Sequence, residues 1–192
     1  MTSTLVAALT GLFVWSGATA GPFPQAESSR VPTYPSYTVS MTAYNAVPEQ
    51  TDSSPNTTAS GAFSDPDIVA ARSVDLADEL PFGTVIMITH AATSSPNCGI
   101  GLVDDQIGLR VIADSMHARK RQQIDILFDQ ADKVKVGGKM INPARVMGVC
   151  KDITITVVGH IDIKHMPKNQ AALRVSVGLL QIAEVMPLAI SK

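Results

Sequence analysis

Two aspartates eleven positions apart carry the chemistry that this chain advertises most plainly. Asp114 follows the strand-like run Leu109–Ala113, and Asp125 sits inside a second run, Gln123–Phe128. A short polar, basic segment containing His117, Arg119, Lys120 and Arg121 joins them. If the two runs lie near each other in a sheet, two carboxylates meet in one cleft, the minimum equipment for acid/base work on a glycosidic bond. On an extended strand Asp125 shares a face with Gln123 and Leu127 and points away from Ile124 and Ile126. Apolar surroundings and a nearby Asp114 would both raise its pKa, while the three cations pull the other way. A carboxyl kept protonated near neutral pH can donate a proton to a leaving oxygen. The structural alternative stays open: Asp114 as a turn residue, Asp125 as the ion-pair partner of Arg119 or Arg121.

The elements that must position these groups read as short strands between turn-rich loops. Tyr37–Tyr44 alternates apolar and polar residues. Ile68–Arg72 is a short strand, Asp75–Glu79 one helical turn, and Leu80-Pro-Phe-Gly83 a turn leading into the strand Thr84–Thr89. Asp129–Val136 is expected to form a short helix, and Asp152–Ile163 a strand bent at Gly159. The Pro-, Ser- and Thr-rich stretch Val47–Gly61 is a long loop, a class that is usually functional or disordered. Such a pattern predicts a small β-barrel or sandwich. Asn169–Val185 is apolar-rich with interspersed charges and predicts a C-terminal helix packed on the barrel.

A 45% apolar and 17% charged composition fits a soluble globular domain. A net charge of −2 leaves no electrostatic footprint for nucleic acid. The apolar run Leu5–Trp15, with Ala18-Thr-Ala20 before Gly21, reads as a secretory signal peptide over residues 1–20 and is too short for a comfortable membrane span. Residues 21–36 read as a linker, 37–163 as the folded domain and 164–192 as a helical extension. This organisation places the mature protein outside the cytoplasm, in the cell envelope or secreted, with no stable membrane span. In an oxidising compartment Cys98 and Cys150 are expected to form a disulfide. No further ligand stands at metal spacing from them, so neither a metal nor another cofactor is expected.

Four segments in order then resemble one family: Thr42-Ala-Tyr44, Thr58-Ala-Ser-Gly61, the Val69-Ala70 strand with the Pro81-Phe-Gly-Thr84 turn, and Asp114…Ile124-Asp125. This is the pattern of the three-aspartate domain family, whose relatives include the catalytic domain of membrane-bound lytic transglycosylase A and stationary-phase muralytic proteins. The resemblance covers Thr38–Phe128 and implies a mainly-β, six-stranded double-psi β-barrel. It also implies muramidase-like chemistry, with peptidoglycan glycan strands as partner and Asp125 as the single acid/base of a lytic transglycosylase. Asp114 would orient or stabilise the developing charge. Tyr44, Gln50, Thr51, Asp52, Thr58, Ser60 and His117 become candidate sugar contacts, and Arg119, Lys120 and Arg121 candidate partners for substrate carboxylates. Each has a plainer reading as a residue that satisfies loop backbone. Two departures stand out. Ser115-Met116 replaces the family's small residues after the aspartate, and Arg72 stands where its first aspartate is expected, with Asp75 three residues on.

Overall fold

The computed structural model describes residues 34–90 and 97–178. The expected signal peptide, most of the linker and the chain beyond Gly178 lie outside the described residues. Among the described residues eight strands occur in chain order: β1 (Ser36–Asn45), β2 (Val69–Arg72), β3 (Thr84–Thr89), β4 (Leu109–Ser115), β5 (Gln123–Phe128), β6 (Val134–Val136), β7 (Lys139–Ile141) and β8 (Cys150–His160). Short helices are α1 (Asp104–Ile107), α2 (Pro143–Met147) and α3 (Gln170–Ser176). One-turn 3-10 helices occupy Val74–Leu76, Ile100–Leu102 and Ile163–His165.

Six of the strands close a barrel in the order β1-β5-β2-β4-β3-β8. The β1/β5 and β2/β4 pairs are parallel and the others antiparallel. This mixed, crossed order is consistent with a double-psi β-barrel. Closure leaves no barrel edge unpaired. Alternation along the strands supplies the core. Met41, Ile86, Ile112, Ile124, Ile126 and Ile155 form one apolar cluster, while Val69, Val111, Ala113 and Leu127 belong to a second. Arg110 is wholly buried beside it, its guanidinium donating to the carbonyls of Pro66, Gln106, Ile107 and Leu127 and lying over the Phe128 ring. Burial draws its pKa down to about 10.

Two details of the chain path matter for the site. Gly83 turns the chain into β3 at φ 97°, and a β-carbon there would lie 2.3 Å from the Ile161 carbonyl oxygen, so only glycine fits. In the β2/β4 pair Ala70 faces Ile112 and Ala71 faces Asp114, so Ala113 is an extra residue, a β-bulge. Strict alternation would put Asp114 on the core face with Ile112; the bulge re-aims it.

The helix expected over Asp129–Val136 is not formed. Val134–Val136 is strand β6, paired with β7 across Gly137-Gly138, both at positive φ (55° and 81°). A two-residue Gly-Gly turn of that hand favours a hairpin over a helix. The Cys98–Cys150 disulfide is present and spans 52 residues. Strand β1 begins at Ser36, inside the expected linker, and within the described residues the C-terminal helix covers Gln170–Ser176, started by the Asn169 side chain accepting from the Ala172 amide.

Candidate functional site

One row of paired residues crosses the barrel wall: Thr42 of β1, Asp125 of β5, Ala71 of β2 and Asp114 of β4. Both aspartates are therefore register partners of the same alanine, one on each side. Two strand spacings put their Cα atoms about 10 Å apart. A methyl group between them leaves room, and a groove of about 530 Å³ opens over Ala71, Asp114 and Asp125. That is ample for a sugar unit. Its other wall is the β1–β2 loop, which folds over as ordered turns rather than trailing away.

Asp114 is held by three donors. Tyr44 Oη reaches Oδ2 at 3.0 Å, and the amides of Ala59 and Ser115 reach Oδ1 at 2.9 and 2.8 Å. The bulge contributes a second tie, because the Ala113 carbonyl accepts from the Ser60 amide at 3.1 Å. Burial, and then the Asp114 charge, push the Tyr44 phenol well above its usual range, so it remains a donor.

Asp125 is differently placed. Thr42 Oγ1 donates to its Oδ1 at 2.7 Å, and Gln123 Nε2 donates to Thr42 Oγ1 at 2.7 Å. The order of donors is fixed, since an amide NH₂ can only donate and a hydroxyl has one proton to pass on. With Oδ1 occupied as an acceptor, a proton on Asp125 belongs on Oδ2. Desolvation raises the pKa to about 6, opposed by the Thr42 bond and the Lys120 cation, with the Asp114 charge adding the smallest push upward. The balance left open by the sequence is thus settled by burial. Among the described residues no lysine or arginine forms an ion pair with either aspartate; the ion pairs are His90–Asp104 and His165–Asp162.

The expected contact residues divide. Tyr44, Gln50, Thr51, Asp52, Thr58, His117 and Arg119 line the groove with the aspartates, whereas Ser60 and Arg121 do not. Several are also engaged by their own loop. Gln50 accepts from the Asn45 amide, Thr51 donates to Val47 O, Asp52 accepts from Ser54, and Thr58 donates to Ala62 O. His117 Nδ1 accepts from the Arg119 amide at 3.2 Å. Arg121 donates to the carbonyls of Ala118 and Lys120 and so braces the loop. The residues unforeseen as parts of the site are Thr42, Gln123 and Ala71, whereas Lys120, expected with Arg119 and Arg121 to hold substrate carboxylates, lines the groove. Thr42 belongs to a recognisable Thr-Ala-Tyr segment, but its meeting with Asp125 depends on a parallel pairing 83 residues apart.

Arg72, where the resemblance leads one to expect an aspartate, and Asp75 are each engaged locally. Arg72 is buried, donating from Nε to Leu80 O at 2.8 Å with its guanidinium 4.9 Å from the Phe82 ring centre. Asp75 lies outside the groove lining and accepts from the amide of Gln122, which sits at φ 46°. It fixes the turn into β5 rather than joining the other two carboxylates. Among the described residues, no group of three His, Cys, Asp or Glu side chains is placed to hold a metal ion.

No model of a known protein family matches this chain, and no curated protein matches it.

Proposed function

We propose that the protein is an exported peptidoglycan-cleaving lytic transglycosylase. The observation that carries this reading is Asp125, whose pKa is raised to about 6 on a barrel wall beside an open groove, with one carboxyl oxygen fixed and the other free. The motif resemblance to three-aspartate domains supports it, as does the barrel architecture.

In this reading a glycan strand lies along the groove with an N-acetylmuramic acid–N-acetylglucosamine linkage over Ala71. Asp125 Oδ2 protonates the bridging oxygen. The C1–O bond breaks and positive charge develops on C1 and the ring oxygen, facing the Asp114 side of the groove. The ionised Asp125 then takes the proton from the sugar's own C6 hydroxyl as that oxygen closes on C1. The product is a 1,6-anhydro sugar, and no water or second nucleophile is consumed. One acid/base suffices, which suits a pair of carboxylates held in unlike environments.

Digesting sacculi with the mature domain and analysing soluble products by mass spectrometry tests the reading. Anhydromuropeptides are expected from the wild type and absent from Asp125→Ala. No anhydro product at any pH from 4 to 8 would refute it (on the order of the range in which carboxyl and imidazole groups titrate).

A second reading has one observation in its favour: the position where the resemblance expects the first aspartate is filled by the buried Arg72. A non-catalytic peptidoglycan-binding or envelope-assembly module on the same barrel would pull down sacculi equally well after Asp125→Ala and release nothing.

A further inference from the structure

The β1–β2 loop carries a stiff hairpin on two fixed bases. Within residues 56–64 the Ser64 amide donates to Asn56 O at 3.0 Å, the Thr58 amide to Ala62 O at 2.9 Å and the Gly61 amide to Thr58 O at 2.9 Å. Thr57 and Phe63 face each other across the antiparallel pairing so formed. One base is held where Gln50 accepts from the Asn45 amide and the Thr51 amide donates to Val47 O. At the other, Pro66 O accepts from the buried Arg110 and Asp67 O from Gln170.

Among the described residues, two hydrogen bonds join this hairpin to the barrel, and both are at its tip. The Ala59 amide donates to Asp114 Oδ1 at 2.9 Å and the Ser60 amide to Ala113 O at 3.1 Å. Both acceptors depend on the bulge, which re-aims Asp114 and takes Ala113 out of the β2/β4 register. The inner side of the hairpin lines the groove through Thr57, Thr58 and Ala59. Its outer side is not buttressed: Phe63 is 66% exposed and borders two further cavities, of about 550 and 230 Å³. A stiff body with anchored bases, space behind it and one catch at its tip is the construction of a lid.

We propose that residues 56–64 swing as one flap over the groove and that Asp114 with the bulged Ala113 is its catch, released to admit a glycan strand and closed to grip it. The inference takes its ligand from the glycan-cleaving reading and adds a moving part to it. Tyr44 and the Ser115 amide hold Asp114 in place from the barrel side, so the catch itself stays put when the tip leaves.

Amide hydrogen exchange on the intact chain, followed residue by residue, tests the swing. A rigid flap breaks the tip bonds and spares those within the hairpin. After correction for intrinsic rates, the Ala59 and Ser60 amides should exchange at least about tenfold faster than those of Thr58, Gly61 and Ser64. The ligand probe is a fluorescently labelled tetrasaccharide of alternating N-acetylglucosamine and N-acetylmuramic acid. Bound to Asp125→Asn, which leaves it uncut, it should slow the two tip amides about tenfold and leave the hairpin amides unchanged. Ala59→Pro removes one tip donor at an exposed position and leaves Asp114 intact. In that variant the Ser60 amide should exchange, and the tetrasaccharide dissociate, about tenfold faster, as loss of a hydrogen bond to a carboxylate implies. Asp114→Ala should release the tip to the same extent from the barrel side while the β5 amides keep their protection. Tip and hairpin amides exchanging together, or wild-type dissociation from Ala59→Pro, overturns the flap and leaves glycan cleavage standing. No binding of the tetrasaccharide by any of these proteins overturns the grip on glycan together with the reading it rests on.

Discussion

Thr42 and Asp125 face each other across the parallel β1/β5 pair, joined by a 2.7 Å hydrogen bond from hydroxyl to carboxylate. That bond decides which oxygen of Asp125 can carry a proton into the groove, and it opposes the effect of burial on the pKa. Thr42→Val removes it without changing side-chain size. The expected result is an Asp125 pKa displaced upward and turnover reduced about tenfold by loss of orientation. Thr42→Ser should restore both. A pH–rate profile of anhydro-product release from the three proteins checks this.

Asp125 also links activity to stability, with a definite sign. Its folded-state pKa is raised, so the native protein favours the protonated form. The associated cost is absent below the unfolded value near 3.8 and grows as pH rises through about 6. A shift of that size corresponds to roughly 3 kcal/mol at most, reduced by water in the open groove. Asp125→Asn should therefore gain about 1–3 kcal/mol above pH ~6 and nothing near pH ~4, while losing activity. Urea unfolding at the two pH values measures it.

Turnover itself should fall on the alkaline side with an apparent pKa near 6, because the reaction starts from the protonated acid. Above that point the rate is expected to drop about tenfold per pH unit. A rate that stays flat to pH ~8 would mean that another group donates the proton.

Ala71 separates the two carboxylates, and its methyl group lines the groove floor. Ala71→Leu should fill the space between them. The expected outcome is loss of glycan cleavage by more than about a hundredfold, at a cost of about 1–3 kcal/mol in stability from overpacking. Circular dichroism separates a blocked groove from an unfolded barrel.

Much of this arrangement was legible in the residues themselves. Short β-branched, apolar runs bounded by turn and loop residues marked β3 and β5 at their observed ends, Thr84–Thr89 and Gln123–Phe128. The disulfide followed from two cysteines in a chain read as exported, and the two carboxylates could be named as a pair once their strands were taken as near neighbours. What lay beyond the sequence was long-range register. The bulge at Ala113 is visible only against β2, and the Thr42–Asp125 meeting only once β1 and β5 are known to run parallel. The misread segment Asp129–Val136 had a local signal, since Val-Lys-Val-Gly-Gly-Lys-Met-Ile carries a Gly-Gly hairpin turn between two short alternating runs. Arg72 braces the Leu80 carbonyl and Asp75 the turn into β5, and only their contacts reveal it.

The Cys98–Cys150 bridge ties the segment before α1 to the start of β8, closing a loop of 52 residues. Replacing both cysteines by serine should cost about 2–4 kcal/mol by releasing the unfolded chain. Denaturant midpoints of the oxidised, reduced and doubly substituted proteins compare directly.

The central claim is that the Asp125 carboxyl moves the proton in a glycan-cleaving reaction. Purified glycan strands incubated with the wild type and with Asp125→Asn, and scored by mass spectrometry for new 1,6-anhydro ends, put it to the test. Ends accumulating with the wild type and reduced at least a thousandfold, on the order of a lost acid/base catalyst, in the asparagine variant are expected. Equal yields from the two proteins, or none from the wild type, would contradict it.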